Sequence, residues 1–197
     1  MNTIFISPLR AEDVEAVARL HAAELRYSFN SQLGAAHLAE IYRAMLRSSD
    51  SYVGVAWDGN IPAGVVSGTL DTQALKKSVL QSLGFTGKLR MAGRLLFKPR
   101  AVFALVEEMK SRPPVQIGGH EVKSCLTAIA VASSHRRMGL AAKLAGALED
   151  FFRTNGVTHY WLETIVENSS ARAFYRKQGF EEAATHGRVI VFMKRIG

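Results

Sequence analysis

A chain of 197 residues, 48% hydrophobic and 21% charged, has the balance of one folded domain with a sizeable core, which excludes a disordered or fibrous protein. The opening Met1-Asn2-Thr3-Ile4-Phe5-Ile6-Ser7-Pro8 carries neither a basic leader nor a long apolar run, so no signal peptide or membrane span is expected and a cytoplasmic location is. The single cysteine, Cys125, lies in an apolar run and has no partner for an internal disulfide, in keeping with a reducing compartment.

Ile4 and Ile6 alternate with polar neighbours up to Pro8 and read as a first strand. A helix follows, with Glu12 and Asp13 in its first turn and Val14, Val17, Leu20 or His21, and Leu25 as its apolar stripe. The mixed polar and aromatic stretch Tyr27 to Gly34 reads as a loop of the kind that lines sites. A second helix is predicted from Ala35 to Arg47, with Leu38, Ile41, Met45 and Leu46 inward. Tyr52 to Trp57, the turn Asp58-Gly59-Asn60, and Ile61 to Leu70 form a hairpin.

From Ala74 the periodicity turns helical, and the excess of positive charge concentrates here. The net charge of the chain is +8, and residues 71 to 112 hold nine basic residues against three acidic ones, +6 of that total. Arg90, Arg94 and Lys98 repeat every fourth residue as a basic stripe, and Pro113-Pro114 closes the segment. A solvated helix face explains such a stripe, and so does steering of an anionic ligand or attachment to a membrane surface. Val115 to Ile117 reads as an edge segment and Val122 to Val131 as a central strand. Beyond it come a helix from Leu140 to Phe152, a strand from Val157 to Ile165, a short helix from Asn168 to Gln178, and an antiparallel pair, Phe180 to Ala183 with Val189 to Met193.

The stretch His135-Arg136-Arg137-Met138-Gly139-Leu140-Ala141 joins the central strand to the next helix. The first turn of a helix leaves N–H groups without carbonyl partners, and the helix dipole makes them attractive to anions. Gly139 allows a ligand to approach the backbone, Ala141 keeps the first turn narrow, and Arg136 and Arg137 add fixed positive charge. The chemistry read from these residues is that of a phosphate-binding turn, although a merely basic helix start has the same spacing.

Two separated motifs together resemble the GCN5-related N-acetyltransferase (GNAT) superfamily. Arg136-Arg137-Met138-Gly139-Leu140-Ala141 resembles its acyl-CoA pyrophosphate loop. Asn168-Ser169-Ser170-Ala171-Arg172-Ala173-Phe174-Tyr175-Arg176-Lys177-Gln178-Gly179-Phe180 resembles its later segment, an asparagine opening a helix that ends in Phe-Tyr-x-x-x-Gly-Phe. The resemblance implies an α/β fold with a mixed, mostly antiparallel central sheet flanked by helices. The segment at about 71–112 becomes a helical insert between strands 3 and 4 of a single domain, 1–197.

It also implies acetyl-CoA as co-substrate, lying in a V-shaped slot beside the central strand. Ile129, Ala130 and Val131 would flank its pantetheine arm, the N–H groups of Arg137, Met138, Gly139, Leu140, Ala141 and Ala142 would hold its pyrophosphate, and Arg136 would stand beside them as part of the same loop. Asn168 would touch the pantetheine or the acetyl region, a role that coexists with capping its helix. Tyr175 takes the position of the acid that protonates the departing thiolate, and the N–H of Ile129 would polarise the thioester carbonyl. Ser124 and Cys125 stand where related sequences commonly carry a glutamate, which leaves Glu163 and Glu121 as candidates for the base that takes the proton of the amine.

The function implied is an N-acetyltransferase that moves an acetyl group directly to a primary amine of a small molecule, an amino sugar among the acceptors, in a ternary complex. An acyl-CoA-binding module that has lost transfer is the alternative from another class. The six histidines lack metal-ligand spacing, so no metal is expected. Charge alone, without a reading helix or stacking aromatics, gives no ground for nucleic-acid binding. A homodimer is compatible with the chain, which does not itself set the oligomeric state.

Overall fold

The hairpin predicted around Asp58-Gly59-Asn60 is the start of the sheet. Strands β2 (Ser51–Asp58) and β3 (Ile61–Thr69) pair antiparallel on either side of Gly59-Asn60, and β1 (Ile4–Pro8) adds to the outer edge of β2. The computed structural model describes residues 4–82, 115–117 and 120–197. Among these, the helices are α1 (Val14–Glu24), α2 (Phe29–Gln32), α3 (Ala35–Leu46), α4 (Thr72–Ser82), α5 (Leu140–Thr154) and α6 (Ser169–Lys177). The remaining strands are β4 (Gln116–Ile117), β5 (His120–Glu121), β6 (Cys125–Val131), β7 (His159–Ile165), β8 (Glu181–His186) and β9 (Val189–Arg195).

Seven strands form one sheet in the order β1-β2-β3-β6-β7-β9-β8, antiparallel throughout except where β6 meets β7. Two apolar cores cover its faces. On one, Leu144, Leu148 and Phe152 of α5 pack with Val66, Leu126, Leu162 and Phe192, and Tyr175 of α6 joins them. On the other, Val14 and Val17 of α1 and Leu38, Tyr42 and Met45 of α3 pack with Val53, Val55, Trp57, Val65 and Ala130. The helix α5 lies close to β3 because Gly64 and Gly68 leave room for it. A Cβ at Gly64 would fall 2.9 Å from Leu144 Cδ1, and one at Gly68 only 2.6 Å from Leu148 Cδ1.

Several expectations change. The loop expected from Tyr27 to Gly34 contains the short helix α2, whose N-cap Ser28 accepts a hydrogen bond from Ser31 N–H. The inward stripe of α3 runs Leu38, Ala39, Tyr42 and Met45, whereas Leu46, the last residue of that helix, is 40% exposed. Tyr42 can be buried because its hydroxyl finds His21 Nδ1 at 2.6 Å. The strand expected from Val122 begins at Cys125, since β5 turns aside to pair with β4 in a separate ribbon, Gln116 opposite Glu121. Asp71 caps α4 by accepting from the N–H groups of Gln73 and Ala74, so a helix does follow β3, and the stripe of Arg90, Arg94 and Lys98 lies outside the described residues.

Candidate functional site

The site is made by a bulge, a gap and a turn, all on one strand. In β6 the register against β3 shifts, with Ser67 opposite Ala128 and Gly68 opposite Leu126, so Thr127 is an extra residue. A bulge of this kind bends its strand and increases its twist. Ser67 Oγ and Thr127 Oγ1, 2.8 Å apart, hold it in place. Next to the bulge, β6 and β7 meet in parallel at Cys125 and Trp161, and Trp161 N–H donates to the Ser124 carbonyl at 3.1 Å. Beyond that point β6 continues with β3, and β7 with β9, so the facing edges of β6 and β7 part into a slot.

The alternation of an antiparallel pair decides which groups face that slot. Ala132 N–H donates to the Ala63 carbonyl, so Ala130 and Ala128 also turn their main-chain polar groups toward β3. Ile129 and Val131 therefore present N–H and C=O to the slot, a ready edge for an extended amide-bearing arm. Ala130 lies between them with its methyl group in the core beneath α1.

At the end of β6 the chain makes a 3-10 turn, Ser133–His135, and then reverses through two left-handed residues, Arg137 at φ 65° and Gly139 at φ 74°. The helix α5 starts at Leu140, and the N–H groups of residues 137 to 142 have no carbonyl partner among the described residues. Six such donors at the N-terminus of a 15-residue helix form a nest for an anion. The flanking side chains are held from other elements. Arg136 Nη2 lies 2.6 Å from Glu24 Oε2, and His135 Nε2 lies 3.2 Å from Asp58 Oδ2. Met138 is exposed, and the Leu140 side chain is buried under the sheet.

The slot beside the bulged strand thus runs straight into a turn whose N–H groups are open to an anion. Residues 104–180 match the model of the Acetyltransferase (GNAT) family. Over that stretch the chain is similar to the GNAT family. The chain is 32% identical over 62 residues to N-alpha-acetyltransferase 30 of Schizosaccharomyces pombe, a match that takes in 32% of this chain and spans 41% of the length of that relative. It is similar in fold to the PaiA N-acetyltransferase of Thermoplasma acidophilum, solved in complex with coenzyme A, at a TM-score of 0.66 and 12% identity over 98% of this chain and 99% of the other. The ribosomal-protein-S18-alanine N-acetyltransferase of Escherichia coli aligns at a TM-score of 0.59 and 17% identity over 99% and 95% of the two chains.

The other residues singled out from the GNAT resemblance are placed as follows. Tyr175 on α6 is 7% exposed, with its ring against Phe180 and Phe192 at centroid distances of 5.5 and 5.7 Å. Burial, and then the nearby Cys125 thiol, push its hydroxyl above the ordinary range of a phenol. Asn168 caps α6, its Oδ1 accepting from Ala171 N–H at 3.2 Å and from Ser170 Oγ at 3.1 Å. Glu163 is half-buried on β7 opposite Val191, and the alternation of the strand puts it on the face away from Leu162 and α5. Glu121 is in the β4–β5 ribbon and exposed, outside the seven-stranded sheet. Glu24 and Asp58, the carboxylates that hold the turn, went unnoticed in the sequence. They stand 112 and 77 positions from their partners, and nothing in local spacing connects them.

Proposed function

We propose that the protein transfers the acetyl group of acetyl-CoA directly to a primary amine of a small molecule, with an amino sugar as the leading acceptor, in a ternary complex. The observation that carries this reading is the continuity of the slot with the turn. An extended arm paired with the main chain of Ile129 and Val131 would deliver its diphosphate to the N–H groups of residues 137 to 142. That end of the ligand is anchored, and its thioester is left near the bulge, where β6 and β7 begin to part.

Acyl transfer requires an amine nucleophile, polarisation of the carbonyl and a donor for the thiolate. The Ile129 N–H would polarise the carbonyl. Tyr175, whose hydroxyl stays protonated at neutral pH, would donate a hydrogen bond to the sulfur as the C–S bond breaks. Because burial raises this phenol further above a thiol, complete proton transfer to the thiolate is uphill, and stabilisation by the hydrogen bond is the better description. Glu163 is the stronger candidate for the amine proton, since it stands on a strand that borders the slot and Glu121 does not.

The basic segment at 71 to 112 supports a phosphorylated or nucleotide-linked acceptor. A peptide α-amine is the second reading, favoured by the 32% identity with an N-alpha-acetyltransferase. Thiol release from acetyl-CoA, measured across amino sugars, aminoglycosides, polyamines and peptides, separates the readings. Turnover with amino sugars is the expected result, turnover with peptides alone supports the second reading, and no turnover with any amine supports a binding module that has lost transfer.

A further inference from the structure

Glu24 is the last residue of α1, and its side chain is 15% exposed. It reaches across to the connection between β6 and α5, where Oε1 accepts from Ser133 N–H at 3.0 Å and Oε2 from Arg136 Nη2 at 2.6 Å. These two partners bracket the 3-10 turn, and the next residue is Arg137 at φ 65°, a left-handed conformation that a non-glycine residue keeps only where its surroundings impose it. A bare carboxylate beside an anion site would oppose anion binding. Paired with Arg136, its charge is cancelled and what remains is its geometry. The second carboxylate, Asp58, steadies His135 from the opposite side of the connection.

We infer that Glu24 is a positioning residue for the donor substrate: by holding Ser133 and Arg136 it sets the backbone of residues 137 to 142 in the shape that takes the CoA diphosphate. The inference rests on reading that turn as the CoA site. It predicts that loss of the clamp weakens ligands that carry the diphosphate and spares those that do not, a distinction that general loosening of the fold would not produce.

Calorimetric titration of the full chain with CoA and with pantetheine, which lacks the diphosphate, tests this on Glu24→Gln, Glu24→Ala, Arg136→Gln, the double variant Glu24→Gln with Arg136→Gln, and Gly139→Val. Weakening of CoA binding by about fivefold in Glu24→Gln and about tenfold in Glu24→Ala is expected, with pantetheine unchanged. In the Arg136→Gln background, Glu24→Gln should cause no further loss. In turnover, the KM for acetyl-CoA should rise while kcat stays within about twofold. If both Glu24 variants bind CoA as tightly as the unmodified chain while Gly139→Val loses it, the inference is overturned and the turn remains the CoA site. Additive losses in the double variant, or equal losses toward pantetheine, overturn it as well. CoA binding undiminished in Gly139→Val would instead remove the reading of the turn on which the inference stands.

Discussion

Tyr175 is a core side chain to which the proposed transfer would add a chemical role. Its ring fills the core between Phe180 and Phe192, and burial keeps its hydroxyl protonated well past neutral pH. Tyr175→Phe keeps the ring and removes the donor, so CoA binding should stay within about twofold while the rate of acetyl transfer falls about a hundredfold. The remaining pH profile bears on the same point. Because the phenol is shifted upward and its neutral form is the useful one, Tyr175 should contribute no alkaline loss of activity between about pH 8 and pH 10. Unchanged transfer in the phenylalanine variant would return this residue to the core alone. Asn168 caps its helix, and its N-cap bond to Ala171 was readable from an asparagine placed before a helix.

Among the elements, the contact of α5 with β3 controls where the turn at the start of α5 stands relative to the slot. Gly64 and Gly68 face Leu144 and Leu148, four residues apart on the strand and four on the helix. A Cβ at position 68 would meet Leu148 Cδ1 at 2.6 Å and, less yieldingly, the Cys125 carbonyl at 3.0 Å. Gly68→Ala should therefore destabilise the fold by about 1–3 kcal/mol, read as a lower urea midpoint with an unchanged m-value. Element boundaries were largely legible, because periodicity and capping are local. The start and apolar face of α5, the hairpin β2–β3 and the cap of α6 all follow from neighbouring residues. Elements decided by distant partners were not. Tyr42 faces inward on account of His21 on another helix, and β5 leaves the line of β6 because β4 offers it a partner.

Across the whole molecule, the second core carries a titratable group that makes stability depend on pH. His21 is 6% exposed between α1 and α3, and burial pushes it down to about 4 from its ordinary 6.5. Above about pH 6.5 it is neutral in both folded and unfolded chains and costs nothing. Between about pH 6.5 and pH 4 the unfolded chain takes up the proton and the folded chain does not, so stability falls with pH, by on the order of 3 kcal/mol at the lower end. Thermal midpoints of the unmodified chain and of His21→Gln, compared across pH 4 to 8, should diverge most near neutrality and converge toward pH 4. Parallel curves would mean that His21 does not contribute this slope.

The local patterns on which the proposed donor site rests were written into the sequence. A left-handed glycine at a helix start, the basic residues before it and a capped helix that carries Phe174-Tyr175 are short-range patterns, and their geometry is set by neighbouring residues. The tertiary structure decided how those patterns meet. The bulge at Thr127 and the single pairing of Cys125 with Trp161 open the slot, and Glu24 and Asp58 reach the turn from α1 and β2. Parting strands and long-range ion pairs depend on residues brought together by folding from far along the chain, and no local spacing encodes such a meeting.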